Sequence, residues 1–167
     1  MGKKLIVKGA DFSEVAVETY VKQYLYGIPD SQMSGSNIWN ASSLGFSLAN
    51  QSVLQGKTIH GIRMMVSSVG SITISKATIV NPNTASLMTE VAHGAVTSTG
   101  IKDIEFDVPV ELHSGEYLII SAATLKGKFH SSGITGAAQQ KFYYNVGKDS
   151  IMYNENGSLD VDFYTYI

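Results

Sequence analysis

From about residue 44 onward, apolar and polar residues alternate with a period of two. Turn residues interrupt the alternation about every 8–12 positions, the spacing of short strands in a β-sandwich. Residues 57–66 set Ile59, Gly61, Arg63 and Met65 against Ile62, Met64 and Val66. Ser67-Ser-Val-Gly70 predicts a hairpin turn, after which Ile72, Ile74, Thr78 and Val80 share one face and Ser71, Thr73, Ser75 and Ala77 the other. That division gives one core face and one solvent face. Asn81-Pro-Asn83 ends the strand, because proline cannot donate to a ladder. A weaker strand is predicted over 86–93. The cleanest follows over 101–112, where Lys102, Ile104, Phe106, Val108 and Val110 oppose Ile101, Asp103, Glu105, Asp107 and Pro109. Residues 116–124 are apolar on both sides, which predicts a central strand. Residues 126–136 read as a Gly/Ser-rich loop and 139–146 as an aromatic strand. Residues 159–167 read as a closing strand with Asp160, Asp162, Tyr164 and Tyr166 opposite Val161, Phe163, Thr165 and Ile167. A last strand returning beside an early one implies a Greek key. The predicted fold is therefore all-β, an antiparallel β-sandwich in jelly-roll arrangement with a short N-terminal arm.

The first 37 residues have a different rhythm. Residues 3–7 read as a short strand. Residues 15–26 carry Val, Tyr and Leu without a clean period and fit a helix or a strand. Gly27-Ile-Pro-Asp30 breaks that segment, and residues 31–37 have linker chemistry. The predicted division is 1–37, an N-terminal arm or first strand plus linker, and 38–167, the β-sandwich domain.

Composition narrows the function classes. At 167 residues with 44% hydrophobic residues, the chain can bury a core without staples, and it contains no Cys. A formal net charge of −2 offers no basic face, so no nucleic acid partner is expected. The run Leu5-Ile-Val7 is too short for a signal-peptide core, and nothing approaches the roughly 18 consecutive apolar residues of a spanning helix. No membrane insertion is expected.

Catalytic and cofactor motifs are sparse. There is no Gly-x-Ser-x-Gly elbow and no phosphate-cradling glycine loop. His60, His93, His113 and His130 lack the spacing that aims two imidazoles at one metal, so no cofactor is expected. Asp103, Glu105 and Asp107 share one strand face, and Asp160 and Asp162 another. On adjacent strands they could hold Ca²⁺ or act as a glycosidase pair; otherwise they form a solvated face.

The remaining signal is aromatic: nine Tyr, six Phe and one Trp. Flat rings beside amides and carboxylates suit sugars, whose apolar face stacks while hydroxyls take hydrogen bonds. Trp39, Tyr143, Tyr144 and Tyr153 are the predicted ligand-binding residues, with Phe129, Tyr164 and Tyr166 also placed where a sandwich exposes rings. Each is also an ordinary strand or core residue.

Residues 3–13, Lys-Lys-Leu-Ile-Val-Lys-Gly-Ala-Asp-Phe-Ser, resemble an opening found in proteins of Bacteroides-type gut bacteria and their phages or prophages. Residues 44–124, with Gly56-Lys-Thr-Ile-His-Gly-Ile and Gly115-Glu-Tyr-Leu-Ile-Ile, are similar in rhythm to jelly-roll or concanavalin-like modules of tail fibres and polysaccharide-acting enzymes. The resemblance implies an extracellular or virion-associated module. The leading expectation is noncatalytic binding of a polysaccharide or surface glycan. The alternatives are a structural module of a phage tail or cell-surface assembly, forming a homo-oligomer through the arm, and a glycoside hydrolase or lyase.

Overall fold

The alternation over residues 57–124 becomes a run of long strands: β6 (Thr58–Ser68), β7 (Gly70–Asn81), β8 (Thr84–Val96), β9 (Gly100–Glu111) and β10 (Glu116–Ser121). The computed structural model describes residues 2–7, 15–35, 37–38, 43–47, 54, 56–81, 84–113, 116–130, 142–144, 152–154 and 158–167. Before that run lie β1 (Gly2–Val7), β2 (Val15–Tyr20), β3 (Lys22–Gly27), β4 (Asn37–Ile38) and β5 (Ser43–Ser47). After it come β11 (Lys126–His130), β12 (Phe142–Tyr144), β13 (Met152–Asn154), β14 (Ser158–Leu159) and β15 (Val161–Tyr166). Among the described residues every pairing is antiparallel and there is no α-helix. The ambiguous segment 15–26 is strand: β2 pairs with β1, and β3 joins the main body by pairing with β15.

Two sheets carry the body. In the first, β15 lies between β3 and β6, and β6 is flanked by β9 on its other side. One end of β6 also pairs with β11, which holds β4 and β14. The second sheet runs β13, β12, β5, β10, β7, β8. Ile62, Met64, Val66 and Phe163 of the first pack into a single core with Ile72, Ile74, Leu118 and Ile120 of the second. Two antiparallel sheets sharing one apolar interior make a β-sandwich. Full burial of each such side chain stabilises the fold by about 1.5–3 kcal/mol. The doubly apolar segment is β10, held between β5 and β7; Leu118 and Ile120 enter the shared core, and Ile119 is buried as well.

Strict alternation fails where the ladder shifts. The β6–β9 register slips between Ile59 and Gly61, so Ile59 enters the core together with Ile62 and Met64. After Ile74 the extra residue lies on β8, where Ile74 pairs with Ala92 and Ser75 with Glu90, while β7 keeps its register with β10 and buries Ser75 and Ala77 as well as Ile72 and Ile74. An extra residue on one strand reverses the face of everything beyond it. Residues 126–130, read as loop, form β11 because β6 and β14 offer it partners; residues 131–136 of that segment lie outside the described residues.

Candidate functional site

The outer side of the first sheet gathers tyrosines. Phe163 points into the core, and its neighbour Tyr164 therefore faces outward, where its Cα partners are Tyr24 on β3 and Gly61 on β6. Tyr24 and Tyr164 meet edge to face at 6.2 Å. Tyr164 meets Tyr166 at 5.8 Å, and Tyr166 meets Tyr20 at 6.1 Å and His60 at 5.2 Å. These T-shaped contacts match the ring quadrupoles, positive edge against negative face. The row is graded in exposure: Tyr24 is 43% exposed, Tyr20 and Tyr166 are half-buried, and Tyr164 is fully buried at the centre. The expectation of an exposed Tyr164 is corrected here, because its neighbours close over it.

Cations bind the row together. Lys22 Nζ lies 4.5 Å from the Tyr164 ring centre, and the Arg63 guanidinium 5.2 Å from that of Tyr24. Arg63 also donates through Nη1 to the Tyr24 hydroxyl at 2.7 Å. The same side chain clasps Asp30 with two bonds, Nε to Oδ1 at 2.6 Å and Nη2 to Oδ2 at 2.5 Å, and reaches Asp103 at 3.0 Å. Lys22 takes the other Asp103 oxygen at 2.6 Å. The Asp30 bond, helped by Asp103, holds the Arg63 pKa above its ordinary value despite the opposing cost of burial. Burial first, then the charge of Glu105, raises the Tyr166 hydroxyl, and burial raises Tyr164 further.

The carboxylates predicted on two strand faces are not on neighbouring strands. Strands β9 and β15 flank β6, and Arg63, in register with both Asp103 and Asp162, stands between them. Among the described residues no three His, Asp or Glu side chains converge as a metal site. A separate cleft of about 380 Å³ lies by β7, β8 and β9, lined by Thr89, Val91, Val108 and Val110. Of its charged residues Lys76, Glu90 and Glu116, Lys76 and Glu116 are joined at 2.9 Å, and no aromatic residue is among those lining it.

Of the predicted binding residues, Tyr143 and Tyr153 are Cα partners on β12 and β13, at the edge of the second sheet, and Tyr144 pairs with Met152 and Leu44. Trp39 lies outside the described residues. Neither strand belongs to the sheet bearing the tyrosine row, and Tyr20, Tyr24, Lys22, Arg63 and Asp30 of that row and its surroundings were not singled out from sequence. The available signal was Tyr20, Lys22 and Tyr24 at period two inside the ambiguous segment. Comparison of the chain with known protein families, with curated proteins and with solved structures found no match.

Proposed function

We propose that the chain is a noncatalytic glycan-binding module and that its contact surface is the tyrosine face of the first sheet. One observation carries this reading: an exposed Tyr24 ring backed by Arg63, packed on the buried Tyr164 and within reach of Asp30, Lys22 and Asp103. Such a surface offers a stacking plane for a pyranose and both donors and acceptors for its hydroxyls. The groups are held by one another before any ligand arrives, so little side-chain freedom is lost on binding. The strand succession β3, β15, β6, β9 facing β5, β10, β7, β8 supports reading the sandwich as a jelly roll. The ligand class fits an extracellular or virion-associated protein. A titration calorimetry panel of a glucan, a mannan, a galactan and an alginate against the wild type and Tyr24→Ala tests the reading. Binding by the wild type that the variant loses, with melting temperature held, supports it; a panel without heat from the wild type removes it.

A second reading, a structural module of a larger assembly, draws on the β1–β2 hairpin, which pairs only with itself among the described residues. An isolated two-stranded ribbon is marginal in water and gains from a partner. Light scattering on the intact chain against one lacking residues 1–14 separates the two: assembly lost with the hairpin favours this second reading.

A further inference from the structure

The cations of the tyrosine face are already matched by the protein's own carboxylates. Arg63 uses Nε and Nη2 on Asp30, and Nη1 on the Tyr24 hydroxyl and Asp103 Oδ1. Lys22 Nζ holds the other Asp103 oxygen and lies against the Tyr164 ring. Their remaining N–H groups can still reach a sugar oxygen, but their charge is neutralised before any ligand arrives. An anion would have to displace Asp30 or Asp103 to gain the charge-assisted pairing that an open guanidinium fork provides.

Carboxylates remain after that pairing. Glu105, on β9 in register with Gly61, is exposed and accepts from the Tyr166 hydroxyl. Among the described residues no cation pairs with it. Val161 and Phe163 point into the core, so Asp162 between them lies on the outer side, nearly buried, with Oδ1 accepting from the Phe163 N–H. Asp30, Asp103, Asp162 and Glu105 thus stand against Lys22 and Arg63, and the face is acidic. Carboxylate oxygens keep lone pairs beyond those already bonded, and these accept from sugar hydroxyls.

Given the glycan-binding reading of this face, on which the inference rests, we propose that the face selects its glycan by charge. It takes a neutral backbone through the hydroxyl groups of its units and turns away the same backbone when those units carry carboxylates. Asp30 and Asp103 set the acceptors beside the Tyr24 ring, and Glu105, with no cation of its own, supplies the repulsion. Specificity then comes from what is excluded as much as from what is bound. The repulsion reaches about 10 Å at about 0.1 M salt and about 3 Å at about 1 M, so it fades in concentrated salt. Stacking on Tyr24 does not depend on charge and persists.

The test is calorimetric titration of the intact chain with a glucan, a mannan and a galactan whose primary hydroxyls are free, each beside its uronate form, in which that hydroxyl has been oxidised to a carboxylate. Titrations are run at about pH 8, where an imidazole is neutral and uronates are charged. Whichever backbone binds, its uronate form is expected to bind at least about tenfold more weakly at about 0.05 M salt. That gap is expected to shrink several-fold at about 1 M salt and in Glu105→Gln, and the salt series serves if the variant does not fold. A uronate form that binds as tightly as its parent overturns the charge selection and leaves glycan binding standing. So does a gap that neither salt nor Glu105→Gln narrows, because a lost hydroxyl contact then accounts for it. Absence of heat from every neutral and uronate form removes the glycan-binding reading itself, and the selection with it.

Discussion

Tyr164 on β15 stands directly across from Gly61 on β6, and its hydroxyl end occupies the space that a side chain at 61 would claim. The Ile104 carbonyl closes the same space from β9, and a backbone atom cannot swing aside as a side chain can. Overpacking of this kind costs about 1–3 kcal/mol. Gly61→Ala is therefore expected to lower stability by that amount in urea unfolding, and a change under about 0.5 kcal/mol, the usual spread of a surface substitution, contradicts the packing described.

The same contact makes an unusual prediction for the hydroxyl. It is buried without a regular hydrogen bond, and removing such a group removes its desolvation penalty. Tyr164→Phe is expected to leave stability unchanged or to raise it by up to about 1 kcal/mol. A loss of more than that in the same assay means that the hydroxyl has a strong partner.

Arg63 and Tyr24 are expected to separate stability from binding. Arg63→Met takes Arg63 away from Asp30, leaves Asp103 to Lys22 and frees the Tyr24 ring, with a cost of about 1–2 kcal/mol for a half-buried charge network. Tyr24→Ala, at an exposed strand position, is expected to cost less than about 1 kcal/mol while abolishing glycan binding. Thermal melts beside calorimetric titrations check both. Equal destabilisation by the two variants contradicts the assignment of Tyr24 to the surface.

Stability should also depend on pH through Asp160. Burial raises its pKa in the folded state, so the folded chain holds that proton at pH values where the unfolded chain has released it. The contribution is fully present below the ordinary carboxylate range and is lost as pH rises through the elevated value. Urea midpoints followed from about pH 4 upward should fall for the wild type relative to Asp160→Asn. A difference that stays constant or widens in favour of the wild type contradicts the elevated carboxyl.

The parts of the fold legible in the sequence are those decided locally. The alternation over residues 71–74 and 101–106 and the doubly apolar 118–120 follow from which side of a pleat meets the core, and the structure buries Ile72, Ile74, Phe106 and Leu118 accordingly. Val108 departs from that pattern: it shares a face with Phe106 and Val110 in the sequence and is 60% exposed beside the cleft. What alternation cannot carry is register. The slips after Ile59 and Ile74 depend on a partner strand, and so does β11, which is short, basic and glycine-bearing and becomes a strand only between β6 and β14. The tyrosine row was hidden for the same reason. Tyr24 and Tyr164 are joined by strand pairing across 140 residues of chain, and Asp30 meets Arg63 from a turn that reads as linker.

The measurement that bears most directly on the glycan-binding account is a ¹H–¹⁵N NMR titration of the chain with whichever oligosaccharide gives heat in calorimetry. The account predicts perturbations concentrated at Lys22, Tyr24, Arg63 and Tyr166 on the outer side of the first sheet and at Tyr20, which packs on Tyr166 from β2. Perturbations confined to the second sheet around Tyr143 and Tyr153, or to the cleft beside Val108, would contradict it.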